Sequence, residues 1–169
     1  MNRNIAGTGT EVAQQASGYR FVILGLFALL SFSTGLNIFA VGPIMPVVMD
    51  HYQISYGVAS LLMSIIWITH LLAIPLSLLV GRVGLKKLVF AGAIANAAPV
   101  LSFMATDSFL FLMMLRAIHG AGMILIVTGS APVFMQWFRP KERPFANGTF
   151  TVSVSVGTSV SSFIVMPIS

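Results

Sequence analysis

Apolar residues run through this chain in five long intervals, Phe21–Met49, His51–Gly81, Leu88–Thr106, Ala117–Phe138 and Phe145–Ser169, divided by single charges or short charged clusters. With histidine counted as neutral, each interval holds 19 or more residues without a charge. At about 1.5 Å of rise per residue, such a helix crosses a hydrocarbon layer roughly 30 Å thick. The pattern therefore predicts membrane helices near 20–43, 56–80, 87–106, 109–137 and 145–168, after a polar tail over 1–19. The last is the least regular, because "TFTVSVSVGTSVSS" alternates as a strand would. A lone open strand leaves its backbone unsatisfied in lipid, so a helix is expected there too. It would place Thr151, Ser155, Thr158 and Ser162 on one face and Ser153, Gly157 and Ser161 on another, a pattern suited to close helix packing.

Composition agrees with the pattern. Of 169 residues, 57% are hydrophobic and 8% charged, and the mean hydropathy is +0.94. Soluble domains carry about 25% charged residues, so an integral, all-α membrane protein is expected, embedded in the lipid bilayer. The net charge of +5 does not indicate nucleic acid, since no basic stripe with interleaved aromatics occurs. Arg3, Arg20, Arg82, Lys86, Lys87, Arg139, Lys141 and Arg143 fall on one set of alternate loops, whereas the other set carries only Asp50 and Asp107. This bias predicts a multi-pass protein of the cell membrane with a cytoplasmic N-terminus. "NGT" at Asn147 then falls on the cytoplasmic side and reads as a chance match to a glycosylation site. With no cysteine and three scattered histidines, neither a metal site nor a cofactor is expected.

One charge breaks the pattern. In "LRAIHGAG", Leu115–Gly122, Arg116 lies about eight residues into the fourth predicted helix. An arginine at the centre of an inserting helix costs about 2.5–3.5 kcal/mol, so its side chain should face a polar interior. At about 100° per residue, Arg116, His119, Gly120, Met123 and Ser130 share one face, and Gly122 and Gly129 form a small-residue stripe beside it. Two readings are open for Arg116. It bonds main-chain carbonyls of a neighbouring helix, or it lines a solvated cavity, where it binds an anionic substrate or tunes a proton site. Asn37, on a face with Ser33 and Thr34, should lie at similar depth and suits either substrate contact or interhelical bonding. His70, one turn after Trp67, is a further cavity candidate that serves equally well as a packing histidine.

Two loops complete the set. "SLLVGRVGLKKL", Ser77–Leu88, is a basic turn in which Gly81 and Gly84 permit positive φ and Arg82, Lys86 and Lys87 face the anionic leaflet. "QWFRPKERPFANG", Gln136–Gly148, has an aromatic pair, a helix-ending Pro140, basic residues, and small residues where the fifth helix begins. With "LMMLRAIHGAG", these features, over about 20–169, resemble the N-terminal half of the major facilitator superfamily. That family's GxxxDRxGRK loop is matched at Arg82, Gly84 and Lys86. Ser77 stands for its first glycine, Gly81 for its aspartate and Leu85 for its first terminal basic residue. Arg116, Gly120 and Gly122 match the family's helix-four pattern, with His119 where glutamine is common. The glycine and proline pattern of drug/proton antiporters in helix five is absent.

The resemblance implies a partial fold, five of an expected twelve helices, in a transporter that moves a small-molecule or ion substrate by alternating access. A missing C-terminal half of the same transporter would then be the chain's main partner. It further implies that Gly81, Arg82, Gly84 and Lys86 belong to a gating loop, that Asn37, Arg116, His119 and His70 are cavity candidates, and that Gly120, Gly122, Gly129 and Gly157 serve helix packing. An enzyme is not expected, since no acidic pair, HExxH motif or cysteine occurs. The alternative is a small non-transporting membrane subunit or scaffold complete at 169 residues.

Overall fold

A computed structural model describes residues 18–72, 75, 83–102 and 107–165. Among the described residues every regular element is helical. Helix α1 spans Tyr19–Phe39, α2 Met45–Tyr52, α3 Tyr56–Ala59, α4 Leu61–Thr69, α5 Leu85–Ser102, α6 Phe109–Trp137 and α7 Arg143–Val165; a 3₁₀ turn, His70–Leu72, follows α4. Among the described residues two helices, α1 and α6, are long and apolar enough to cross a membrane, and α2 with Tyr56–Thr69 adds a third if that bent pair counts as one span.

The helices depart from the expected ones where proline and backbone geometry intervene. The first was expected to reach 43 but stops at Phe39, ahead of Gly42-Pro43, because the residue before a proline is steered out of the helical region. The expected loop that follows contains α2, with Pro46 in its first turn, where proline's missing N–H costs nothing. Gln53 closes α2 in the left-handed conformation, φ 52°, and the chain bends by 115° into Tyr56–Thr69. The helix expected over 56–80 is divided at Ser60 and tightens to 3₁₀ at His70; residues 73, 74 and 76–80 lie outside the described residues. α6 occupies 109–137 as expected. Ser108 caps its start by accepting a bond from the Phe111 N–H at 3.4 Å.

α1 packs along α7, and α5 along α6, more extensively than any other pairs, with α4 also against α6. A Cβ on Gly157 would meet the carbonyl oxygen of Phe32, and one on Gly35 the carbonyl oxygen of Val154, so α1 and α7 touch backbone to backbone; with Arg20 bonded to Glu142 and Ser31 to the Phe150 carbonyl, they run in the same direction. Gly92 and Gly122 bring α5 and α6 together in the same way, in opposite directions. The Ser and Thr faces of α7 separate accordingly: Ser161, one turn beyond Gly157, is buried, whereas Thr151, Ser155 and Ser162 are exposed. The exposed hydroxyls of Ser155 and Ser162 donate to carbonyls one turn earlier, which satisfies them without a neighbour.

Two apolar clusters bracket the middle of the bundle. Leu24, Phe27, Ile126, Phe134, Phe138, Ala146 and Phe150 join α1, α6 and α7 at one end. Val41, Met45, Val48, Ala59, Leu62 and Leu112 join α2, α3, α4 and the start of α6 at the other. Along α6, the buried Arg116 and His119 lie between Leu112 of the second cluster and Ile126 of the first.

Candidate functional site

The site begins with the end of α1. A helix leaves its last four carbonyls without an intrahelical donor, and Asn37 is in that last turn. Arg116 is 1% exposed, and its Nη1 donates to the Asn37 carbonyl oxygen at 2.9 Å. The guanidinium thus meets the negative end of the α1 dipole. Of the two readings open for Arg116, the bond to a neighbouring helix's main chain is present. It uses only part of the group, however: Nε and Nη2 are buried and have no hydrogen-bond partner among the described residues.

One turn along α6, His119 is 0% exposed, with Nδ1 3.3 Å from the Asn96 carbonyl oxygen. A carbonyl only accepts, so Nδ1 carries the proton and, in the neutral ring, Nε2 is left as an acceptor. His119 Nε2 is also buried without a partner among the described residues.

Asn96 ties this pair to α1, and the sequence reading missed it. Its side chain is buried on α5, with Oδ1 3.2 Å from Thr34 Oγ1 and Nδ2 3.4 Å from Ser33 Oγ. The Thr34 hydroxyl is also 2.9 Å from the Leu30 carbonyl and donates to one acceptor at a time. The signal was available as one amide in the apolar run "AGAIANAAPV", a residue type that in lipid demands partners. Ser33, Thr34, Asn96, His119 and Arg116 therefore form one polar seam across α1, α5 and α6. Asn37 joins it through its carbonyl, while its side chain donates back to Ser33 O at 2.9 Å.

The other candidates fall elsewhere. His70 begins the 3₁₀ turn, where its Nδ1 lies 2.9 Å from Ile66 O and its ring lies 5.3 Å from that of Trp67; the structure does not bring it into the seam. Gly120, expected on the face of Arg116 and His119, turns toward α4: a Cβ there would meet the Thr69 hydroxyl and lie 3.2 Å from the Ile66 backbone. Gly122 and Gly129 face α5, where added Cβ atoms would come 2.7 Å from Ala95 Cβ and 2.5 Å from Val89 Cγ2. Gly84 has φ 87° ahead of α5, with open space around it, and Lys86 is exposed in the first turn of that helix. Gly81 and Arg82 lie outside the described residues.

At the other end of α1 the structure adds a contact that sequence spacing could not show. Arg20 Nη1 donates to Glu142 Oε2 at 2.8 Å, and the same oxygen accepts from the Arg139 N–H at 3.1 Å. The rings of Tyr19 and Trp137 lie 5.7 Å apart beside it. The start of α1 is thereby fastened to the turn between α6 and α7.

The sequence model of a family described as Major Facilitator Superfamily matches residues 27–168. A protein of Campylobacter jejuni, described as uncharacterized, is 27% identical over 154 residues, which cover 90% of this chain and 46% of that protein. The chain thus spans about half the length of this relative. No solved structure matches it.

Proposed function

Because this chain belongs to the major facilitator superfamily, whose members are transporters, we propose that it is the N-terminal part of a secondary transporter that moves a small solute by alternating access. On this reading five spans form an incomplete six-helix bundle in the cell membrane, with the polar tail in the cytoplasm. A second bundle supplies the facing half of a central cavity. Arg116 and His119, with Asn37 and Asn96, line the cavity from this side. Gly81, Arg82, Gly84 and Lys86 form the gating loop, and Gly120, Gly122, Gly129 and Gly157 let the helices slide and pack. His70 stays a weaker cavity candidate, since its bonds lie within its own helix.

The observation that carries the reading is the seam itself: a buried arginine and histidine, each with hydrogen-bonding atoms unused among the described residues, at the meeting point of three helices and between two apolar clusters. A merely structural helix contact would use those atoms, because unsatisfied polar groups are costly in an apolar surrounding. Reconstitution tests the proposal. The intact protein in proteoliposomes should show saturable uptake and counterflow of a solute, and residues 1–169 alone should show none. Uptake by residues 1–169 alone would refute the shared cavity.

A further inference from the structure

We propose that the Nε and Nη2 edge of Arg116, together with Nε2 of His119, binds a carboxylate or phosphate that bears an O–H group beside its charge. This rests on the reading of the chain as a transporter and names the substrate class at the same site. In a guanidinium the Nε–H and one Nη2–H point the same way and form the fork that grips two oxygens of a planar or tetrahedral anion. In Arg116 the Asn37 carbonyl is held by Nη1, the atom outside that fork. The fork is thus held in place by one bond while both of its own donors are unpartnered and buried among the described residues. Its orientation is set before any ligand arrives, which lowers the entropic cost of binding.

The charge balance points the same way. Asp50 and Asp107 are exposed and Glu142 is held by Arg20, so no described carboxylate pairs with Arg116. A buried cation without a counter-charge is costly, and an anionic solute would supply one.

His119 narrows the class further. Its Nδ1 is committed to the Asn96 carbonyl, so Nε2 of the neutral ring offers a lone pair rather than a proton. Side chains three apart on a helix are surface neighbours, about 5–6 Å between Cβ atoms, so one small ligand held by the fork can reach the His119 ring as well. A simple carboxylate fills the fork and leaves Nε2 unmet. A hydroxy acid, or a monohydrogen phosphate, fills both. Because Arg116 is 1% exposed, the ligand gains the site when the surrounding helices part, as alternating access requires.

The test uses the intact protein in detergent at pH 7.5, followed by thermal unfolding monitored through tryptophan fluorescence. Sodium lactate, propionate and phosphate are titrated against sodium chloride of equal ionic strength. Lactate and phosphate should raise the unfolding temperature saturably, and propionate should bind at least about threefold more weakly than lactate. Arg116→Gln should remove every anion-specific shift, and Arg116→Lys, which keeps the charge without the fork, should weaken lactate at least about tenfold. His119→Leu should bind lactate and propionate alike. If Arg116→Gln does not fold, the Lys and Leu variants decide. The proposal is overturned if none of the three anions gives a saturable shift, the result expected when a carboxylate from elsewhere in the protein already fills the fork. It is equally overturned if the Arg116 variants bind as the native protein does. Transport is scored separately: an intact protein that moves a cation or neutral solute and ignores all three anions removes the anion site and leaves the transporter. Anion binding without movement of any solute supports the site and removes the transporter.

Discussion

Arg116 on α6 closes the end of α1 by donating to the main-chain oxygen of Asn37 at 2.9 Å. The two helices run in opposite directions, so the bond joins the first third of α6 to the last turn of α1. Arg116 is thus both an anchor and the carrier of two donors without a partner among the described residues. Its replacement should separate these roles in transport. On the proposed transporter reading, Arg116→Ala should leave less than about a tenth of native solute uptake, a loss of more than about 1.4 kcal/mol in the relevant free energy. Arg116→Lys should keep a measurable part, because an ammonium still supplies the charge. Normal uptake by both variants at matched expression would show that the residue has no part in the cavity.

The packing of α1 on α7 makes a sharper mechanical prediction. At Gly157 an added Cβ would run into the Phe32 carbonyl, a main-chain atom that cannot swing away. Gly157→Ala should therefore push the helices apart and destabilise the intact protein by about 1–3 kcal/mol, the usual range for overpacking. Gly148, on the same helix, has nothing within 4 Å of the equivalent position. Gly148→Ala should stabilise by up to about 1 kcal/mol through helix propensity alone. Thermal unfolding of the two variants in one detergent compares them directly. Equal behaviour would mean that α1 and α7 do not approach so closely.

These contacts also mark how far the sequence could be read. α6 is legible from end to end because its signals are local: Ser108 caps it, its interior is apolar, and Pro140 follows its last turn. Arg116 stands out because a charge in lipid is costly wherever it points. Its acceptor does not stand out, since every residue has a carbonyl and only the ending of α1 leaves the one on Asn37 available. Asn96 was overlooked because a single amide disturbs hydropathy little, and its importance comes from Thr34 and His119, which only folding brings to it. The bend at Gln53 has even less of a signature, because a left-handed glutamine is chosen by its surroundings. Periodicity likewise missed α2, whose two neighbouring prolines suggest a loop although Pro46 sits where a helix accepts one.

The bond between Thr34 and Asn96 can be measured by a double-mutant cycle. Interhelical hydrogen bonds in membrane proteins contribute about 0.6 kcal/mol on average and at most about 1.7. Thr34→Val and Asn96→Leu should each destabilise the intact protein, and the double variant should be less damaged than their sum by an amount in that range. Unfolding in mixed micelles reads all four corners of the cycle. Strict additivity would mean that the two side chains do not meet, and the seam would lose its Thr34 contact with α5.

The ion pair between Arg20 and Glu142 gives a prediction with a built-in control. The pair is 2.8 Å long, and the glutamate also holds the Arg139 N–H, so one carboxylate fixes both the start of α1 and the turn ahead of α7. Because the glutamate is about one-third exposed, at 34% against 16% for the arginine, solvent screens the attraction, and the pair should contribute only about 0.5–1 kcal/mol. Glu142→Gln keeps the shape and one hydrogen-bond acceptor but removes the charge, so it should lower the unfolding temperature of the intact protein by a few degrees at about 0.05 M salt. At about 1 M salt, where screening acts over roughly 3 Å, the native protein and the variant should unfold at nearly the same temperature. A difference that persists undiminished at high salt would mean that Glu142 acts by packing and hydrogen bonding rather than by charge, and that the fastening of α1 does not depend on Arg20.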